Sequence, residues 1–282
     1  MDIDVLRFFT AFVAGALLSF AGSMVQITTR NDLASPSTLG MDGLAVLMVM
    51  GSFLLQSLGL NFALSHMALG LGVISLIFIS FFSNVFLKQK DLKIVVLMGL
   101  SVNLLVGAFF SIMQFMAMAF NKKFPDQLWF GRILSLDLSS SISLVVLLAG
   151  LIIFILHYRK AWKALLLGRG WCHGLGIPVE KIIKLSLVLS FLITLWVVVH
   201  FGVFGFLGLL YPLVLRQFKR YRGEPWKEMT DGAVWAGITF SILDQICFHV
   251  TFHGAEVPVG LPASLLGACA LVVILWRRNL TR

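Results

Sequence analysis

His249 and His253 stand four residues apart. On a helix that spacing sets both imidazoles on one face, as a two-histidine metal pair requires. Asp244 and Glu256 lie close by. Polar boundary residues at a helix end show the same spacing, and on that reading no metal site is assigned. Asp244 sits within an apolar run. An ionised group there costs at least ~2.5 kcal/mol on insertion scales, so it is expected either to serve a transport pathway or to bond a neighbouring helix. Gln26, inside the first apolar run, poses the same question for an amide. The basic, Gly-rich loop at 167–178 lacks any Walker pattern, so no nucleotide is expected to bind this chain. Cys172, Cys247 and Cys269 have the spacing of neither a zinc site nor a disulfide framework. No catalytic residue and no cofactor are implied, and the chain is not expected to be an enzyme.

The elements that must position these residues are apolar. Of 282 residues 59% are hydrophobic and 12% charged, with mean hydropathy +0.96; a soluble domain carries about 25% charged residues. A helix needs ~20 apolar residues to cross the hydrocarbon core. Runs of that kind predict spans at 8–28, 43–60, 62–84, 92–120, 138–156, 232–250 and 258–276, with a longer run at 182–215. They make one all-α polytopic bundle, a single membrane domain over residues 1–282. The start, MDIDVLR, lacks the basic opening and cleavage site of a signal peptide, so the first run is kept as a membrane helix. The 182–215 run is too long for one upright span and short for two. Gly202, Gly205 and Gly208 can break it into a helix, a tight reversal and a short second helix.

Charge placement chooses between these. With two crossings in that run the chain has nine spans, and 18 of its 22 Lys and Arg residues fall on one side. Arg7, Lys122, Lys123 and Arg132 fall on the other. With one crossing the two largest basic clusters oppose each other. The positive-inside rule therefore predicts nine helices, N-terminus outside and C-terminus cytoplasmic. The net charge of +9 belongs to these loops; no basic, aromatic-interleaved surface suggests nucleic acid.

One segment is long enough to be specific. Residues 15–40 run from Gly15 through Gly22 and Gln26 to Arg30-Asn31-Asp32-Leu33-Ala34-Ser35-Pro36 and on to Leu39-Gly40. An apolar helix enters a polar, proline-containing turn and leaves it again. This stretch resembles the signature of FecCD-type permeases, the membrane subunits of ABC importers for ferric siderophores, haem and cobalamin. Asp32 stands where that family has proline. Three further stretches agree in order. Trp129 to Ser135 resembles the family's W-x-x-G-S-L-S. Gly202 to Arg216 resembles G-P-I-G-F-V-G-L-x-x-P-H-x-x-R, with Val203 and Leu213 in place of proline and histidine. Glu256 to Ala268 resembles E-L-P-V-G-x-x-T-A-x-x-G-A. The resemblance covers essentially the whole chain. The family begins one helix earlier with both ends cytoplasmic, so it implies either a member lacking that helix or a start assigned too late.

What the resemblance implies is a permease subunit of an ATP-driven importer in the bacterial inner membrane. It would pair with a second permease, identical or paralogous. It would bind cytoplasmic ATPase subunits and receive iron complexes, ferric siderophores foremost, from an extracytoplasmic binding protein. Alternating access would move the cargo. Asn31 and Leu33 take the position of the cytoplasmic gate. Leu167, Gly168, Leu175, Gly176 and Ile177 fit the ATPase-coupling loop, although Arg169 and Gly170 replace its acidic pair. Arg7 and His249 fall near the family's two docking arginines for the binding protein. The competing class is a secondary, ion-coupled transporter of a small solute, which needs a buried coupling site; Asp244 is its one good candidate.

Overall fold

A computed structural model describes residues 3–57, 92–119, 127–133, 138–167, 172, 174, 176–217, 223–252 and 255–280. The expected span at 62–84 lies outside these residues. The described chain is helical apart from one two-residue antiparallel ladder that pairs Thr251 with Glu256 and Phe252 with Ala255. In chain order the helices are α1 (Ile3–Thr29), α2 (Met41–Ser57), α3 (Leu92–Ala119), α4 (Gln127–Phe130), α5 (Leu138–His157), α6 (Arg159–Leu167), α7 (Val179–Phe201), α8 (Leu207–Leu215), α9 (Pro225–His249) and α10 (Gly260–Leu280).

Among the described residues three stretches, Asp4–Thr29, Leu97–Ala119 and Val179–Phe201, are long and apolar enough to cross a membrane. The pair Ile142–His157 and Arg159–Leu166, bent by 63°, counts as a fourth if it is one broken span. The bend separates two kinds of helix. α5 is uniformly apolar from Leu144 to Leu156, whereas α6 buries Ala161, Trp162, Ala164 and Leu165 and exposes Arg159, Lys160 and Lys163.

α1 is the axis of the bundle. It packs along α9 and against α7 and α8, and most of its side chains are buried. Small residues make this possible, because lipid gives helices no hydrophobic reason to associate and close approach must supply the attraction. A Cβ placed on Gly22 would lie 1.5 Å from the Gly208 carbonyl oxygen on α8, and one on Gly15 would lie 2.8 Å from that of Ala236 on α9. Ser186, Ser190 and Thr194 on α7 are fully buried. Each turns its hydroxyl onto the carbonyl four residues back, so none of these three donors is left open.

The long apolar run does break where glycine permits. α7 ends at Phe201; Gly202 takes φ 84°, and Phe206 takes the left-handed φ 66° from which α8 starts. The break is confined to 202–206. Gly208 lies inside α8, where it serves as the contact for Gly22 instead of as a breaker. The nine residues of α8 rise only about 13 Å, well short of the ~30 Å hydrocarbon core, and the residues before it turn instead of extending: Leu207 N donates to Gly205 O at 2.9 Å. Non-helical backbone at membrane depth is tolerated only inside protein. Accordingly Gly202 and Phe204 are buried and Val203, Gly205 and Phe206 half-buried.

Candidate functional site

Two charge clusters mark the two ends of α1. From Arg7 to Thr29 the helix rises about 33 Å, close to the thickness of the bilayer core.

At the first end, Arg7 donates from Nε to Asp244 Oδ2 at 2.8 Å and from Nη2 to Asp244 Oδ1 at 3.0 Å. Its Nη1 donates to Glu256 Oε2 at 3.1 Å. Arg132 reaches the same Glu256 oxygen, from Nε at 3.2 Å and from Nη2 at 2.8 Å. The Phe248 ring lies 4.3 Å from the Arg7 guanidinium carbon. α1, α9, the short ladder and the loop after α4 are therefore joined at one point. Arg132 N donating to Phe201 O and Gly260 N donating to Gly131 O bring the ends of α7 and α10 to it. Asp244 is fully buried and Arg7 only 6% exposed. Asp244 is thus committed to an interhelical ion pair. The Arg7 guanidinium is spent on two acids, and docking a partner through it would require breaking them. His249 is exposed, with Nδ1 at 2.8 Å from Gln245 O. His253 lies outside the described residues. Among the described residues no group of three or more His, Cys, Asp or Glu is placed to hold a metal ion.

At the other end the turn 30–40 folds on itself. Arg30 takes φ 52°. Asn31 Oδ1 accepts from Leu33 N at 3.0 Å, an Asx turn that shapes the tip. Ser35 and Thr38 cap one another's backbone N–H groups. Ser37 hydrogen-bonds Asp42 in the first turn of α2. Asn103 on α3 pins the turn from outside: its Nδ2 donates to Ser37 O and its Oδ1 accepts from Gly43 N at 3.1 Å. Gly99, one turn earlier, lets α3 approach; a Cβ there would lie 2.4 Å from Thr38 O. Leu33 stands out from this turn at 39% exposure, with Ala34 beside it buried.

Charged neighbours surround the turn. Arg30 Nη2 donates to Leu166 O of α6 at 2.9 Å. Asp32 Oδ1 accepts from Arg216 Nη1 at 2.9 Å, and Arg216 Nε donates to Glu228 Oε1 at 2.8 Å. Lys163 on α6 meets Glu224 just before α9, and Trp226 Nε1 donates to the same carboxylate at 2.6 Å. That hydrogen bond from Lys163 holds the Glu224 carboxyl below its ordinary value. Arg30, Lys163 and Arg216 thus lie at one end of the bundle, while Arg7 and Arg132 meet at the other.

Gln26 lies a turn inside this end and is 1% exposed. Its Nε2 donates to Leu209 O of α8 at 3.1 Å, a link between helices. Its Oε1 and the hydroxyls of Ser19 and Ser23, on the same face of α1, are buried without a hydrogen-bond partner. Of the coupling-loop residues, Leu167 closes α6 and Gly176 takes φ 67°. Ile177 N donates to the carbonyl of buried Cys172 at 3.0 Å. Gly168 and Leu175 lie outside the described residues. Sequence reasoning missed Asn103, Arg132, Arg216, Glu224 and Glu228 as partners. For Asn103, Glu224 and Glu228 the one advance signal was an acid or amide beside an apolar run, which demands a partner without naming it; Arg132 and Arg216 carry only the signal of loop charge.

Known proteins share this architecture. An ABC transporter permease protein of Bacillus subtilis, YvrB, is 27% identical over 285 residues, spanning 99% of this chain and 79% of its own. The petrobactin import system permease protein YclN of the same organism is 24% identical over 282 residues, spanning 97% and 84%. A metal-chelate type ABC transporter solved in an inward-facing conformation has a TM-score of 0.77 at 18% identity, over 97% of this chain and 85% of that one. The FecCD transport family matches residues 1–277, and the chain belongs to it.

Proposed function

We propose that the chain is the membrane-spanning permease subunit of an ATP-driven importer for iron complexes, most of all ferric siderophores, and that it works by alternating access. Membership of a transport family supports the first part, and the import of petrobactin by a relative supports the cargo class. ATP is hydrolysed in separate cytoplasmic subunits. A second permease, a copy or a paralogue, completes the path, and an extracytoplasmic binding protein delivers cargo. The chain sits in the inner membrane, surrounded by lipid, with its N-terminus outside and its C-terminus cytoplasmic.

The observation that carries this reading is the turn 30–40. It closes the end of the most buried helix, carries the family signature, and lies against α6, the helix that leads into the coupling loop. Asn31 shapes the tip and Leu33 stands free of it, which suits a gate that opens at the cytoplasmic mouth. The segment 167–177 receives the push from the ATPase. Asp244, bonded twice by Arg7, is a poor proton or ion carrier, which disfavours an ion-coupled transporter.

The test is uptake of radiolabelled ferric siderophore by cells carrying this permease with its partner ATPase, intact or lacking its Walker lysine. Uptake should vanish in the second case. Undiminished uptake would rule out ATP coupling.

A further inference from the structure

We propose that Asp32 and Arg216 form a releasable clasp that positions the gate turn and passes movement of α6 into it. This rests on the reading of residues 30–40 as the inner gate.

Arg30 and Asp32 flank Asn31 and pull in different directions. Arg30 is tied to α6 through Leu166 O, while Asp32 is tied to Arg216 at the end of α8. Arg30 holds its tie from φ 52°, a left-handed conformation that a residue with a Cβ rarely adopts. The turn is therefore suspended between α6, which leads into the coupling loop, and the foot of α8 and α9.

The Arg216 guanidinium serves two acids of unequal standing. Glu228 is 6% exposed, and removing its partner would strand a buried charge. Asp32 is 37% exposed, and water can replace its partner at small cost. Arg216 thus stays on Glu228 while Asp32 comes and goes. Lys163–Glu224 supplies the second link, from α6 to the start of α9. A shift of α6 relative to α9 loads both links, and at Arg216 it is the more exposed Asp32 that lets go while Glu228 holds. The family pattern has an uncharged, rigid proline at position 32; here a carboxylate makes the hold ionic and reversible.

The experiment uses the complete permease–ATPase complex in liposomes, with Cys269, the exposed cysteine, changed to serine. Leu33→Cys is the reporter. Its labelling by N-ethylmaleimide is compared without nucleotide and after trapping with ATP and vanadate, alongside the basal ATPase rate. In the parent the labelling rate should change on trapping. Asp32→Asn should raise labelling without nucleotide by up to about fivefold, the upper factor for a part-exposed ion pair, and should raise basal ATPase activity. Asp32→Glu should restore both. A complex that is merely less stable would lose yield and melting temperature while the surviving molecules kept the parent's labelling ratio, and that result overturns the clasp. So does an Asp32→Asn complex indistinguishable from the parent. If the parent's Leu33→Cys labelling ignores nucleotide, the gate reading itself has failed, and the clasp with it.

Discussion

Arg7 and Asp244, 237 positions apart, meet as a bidentate ion pair inside the bundle, with side-chain exposures of 6% and 0%. The pair closes α1 against α9 at one membrane face. The two residues do not contribute alike, because Arg7 has a second acid in Glu256. Arg7→Met strands a fully buried carboxylate and is expected to cost about 3–5 kcal/mol. Asp244→Leu leaves Arg7 on Glu256 and should cost less. The double variant removes both charges and should recover much of the loss, since well-packed apolar replacements of buried pairs are often neutral. Thermal unfolding in detergent, run on all four proteins as a double-mutant cycle, checks this. Simple additivity would show that the pair is not the tie described here.

Gly22 and Gly208 make the closest backbone approach in the bundle's axis. A Cβ on Gly22 meets a carbonyl oxygen at 1.5 Å, and that atom cannot rotate aside. Gly22→Ala must therefore part α1 from α8, and the Gln26–Leu209 bond one turn on should go with it. The expected loss is at or above the ~1–3 kcal/mol of ordinary overpacking, with transport abolished. Gly150→Ala, where nothing lies within 4 Å, is the matched control and should be neutral. Equal melting temperatures for the two variants would contradict the contact.

The apolar blocks and the break after Phe201 were legible because each is a local property. Hydropathy and glycine spacing need no knowledge of neighbours. Partnership was not legible. Asp244 and Arg7 each drew notice singly, yet nothing along 237 positions says that they touch. Asp32 read as a stray charge at the gate, and only the fold brings Arg216 to it. Asn103 looked like any residue in an apolar helix, though it pins Ser37 and Gly43 at once. The interior of α8 also escaped, because Gly208 serves as a breaker or as a contact with the same residue type. Helix faces in lipid are selected by small-residue packing, for which periodicity is a weak signal.

Acid should loosen the link between α6 and α9. Lys163 holds the Glu224 carboxyl below its ordinary value, with Trp226 Nε1 assisting. A carboxylate depressed in the folded state stabilises it above the unfolded value, near 4.5, and that contribution fades as pH falls through the lower, folded one. Coupling between ATP hydrolysis and gate movement should accordingly be flat from pH 8 to about 5 and weaken below. Lys163→Ala should lower coupling at neutral pH and flatten the acid limb. The ratio of vanadate-induced labelling to ATPase rate across pH is the readout. An unchanged acid limb in Lys163→Ala would assign the titration elsewhere.

α3 has two unlike faces, and they predict different responses to charge. Val106 and Phe110 are 5% exposed and pack with Ala45, Val46 and Met50 of α2 and Val198 of α7. On the opposite face Leu104, Leu105 and Phe115 are 75%, 71% and 72% exposed. An apolar surface of that extent is expected to face hydrocarbon. Leu104 lies twelve residues into the helix, about 18 Å from its start, which is near the midplane of a ~30 Å core. Leu104→Lys should then cost about 2.5–3.5 kcal/mol in membrane insertion, whereas Leu104→Ile should cost almost nothing. A lipid-phase photoprobe should label a reporter at 104 and spare one at 106. If Leu104 instead lies against the second permease, the probe will miss it, and Leu104→Lys will split the assembled complex without reducing insertion of the single chain.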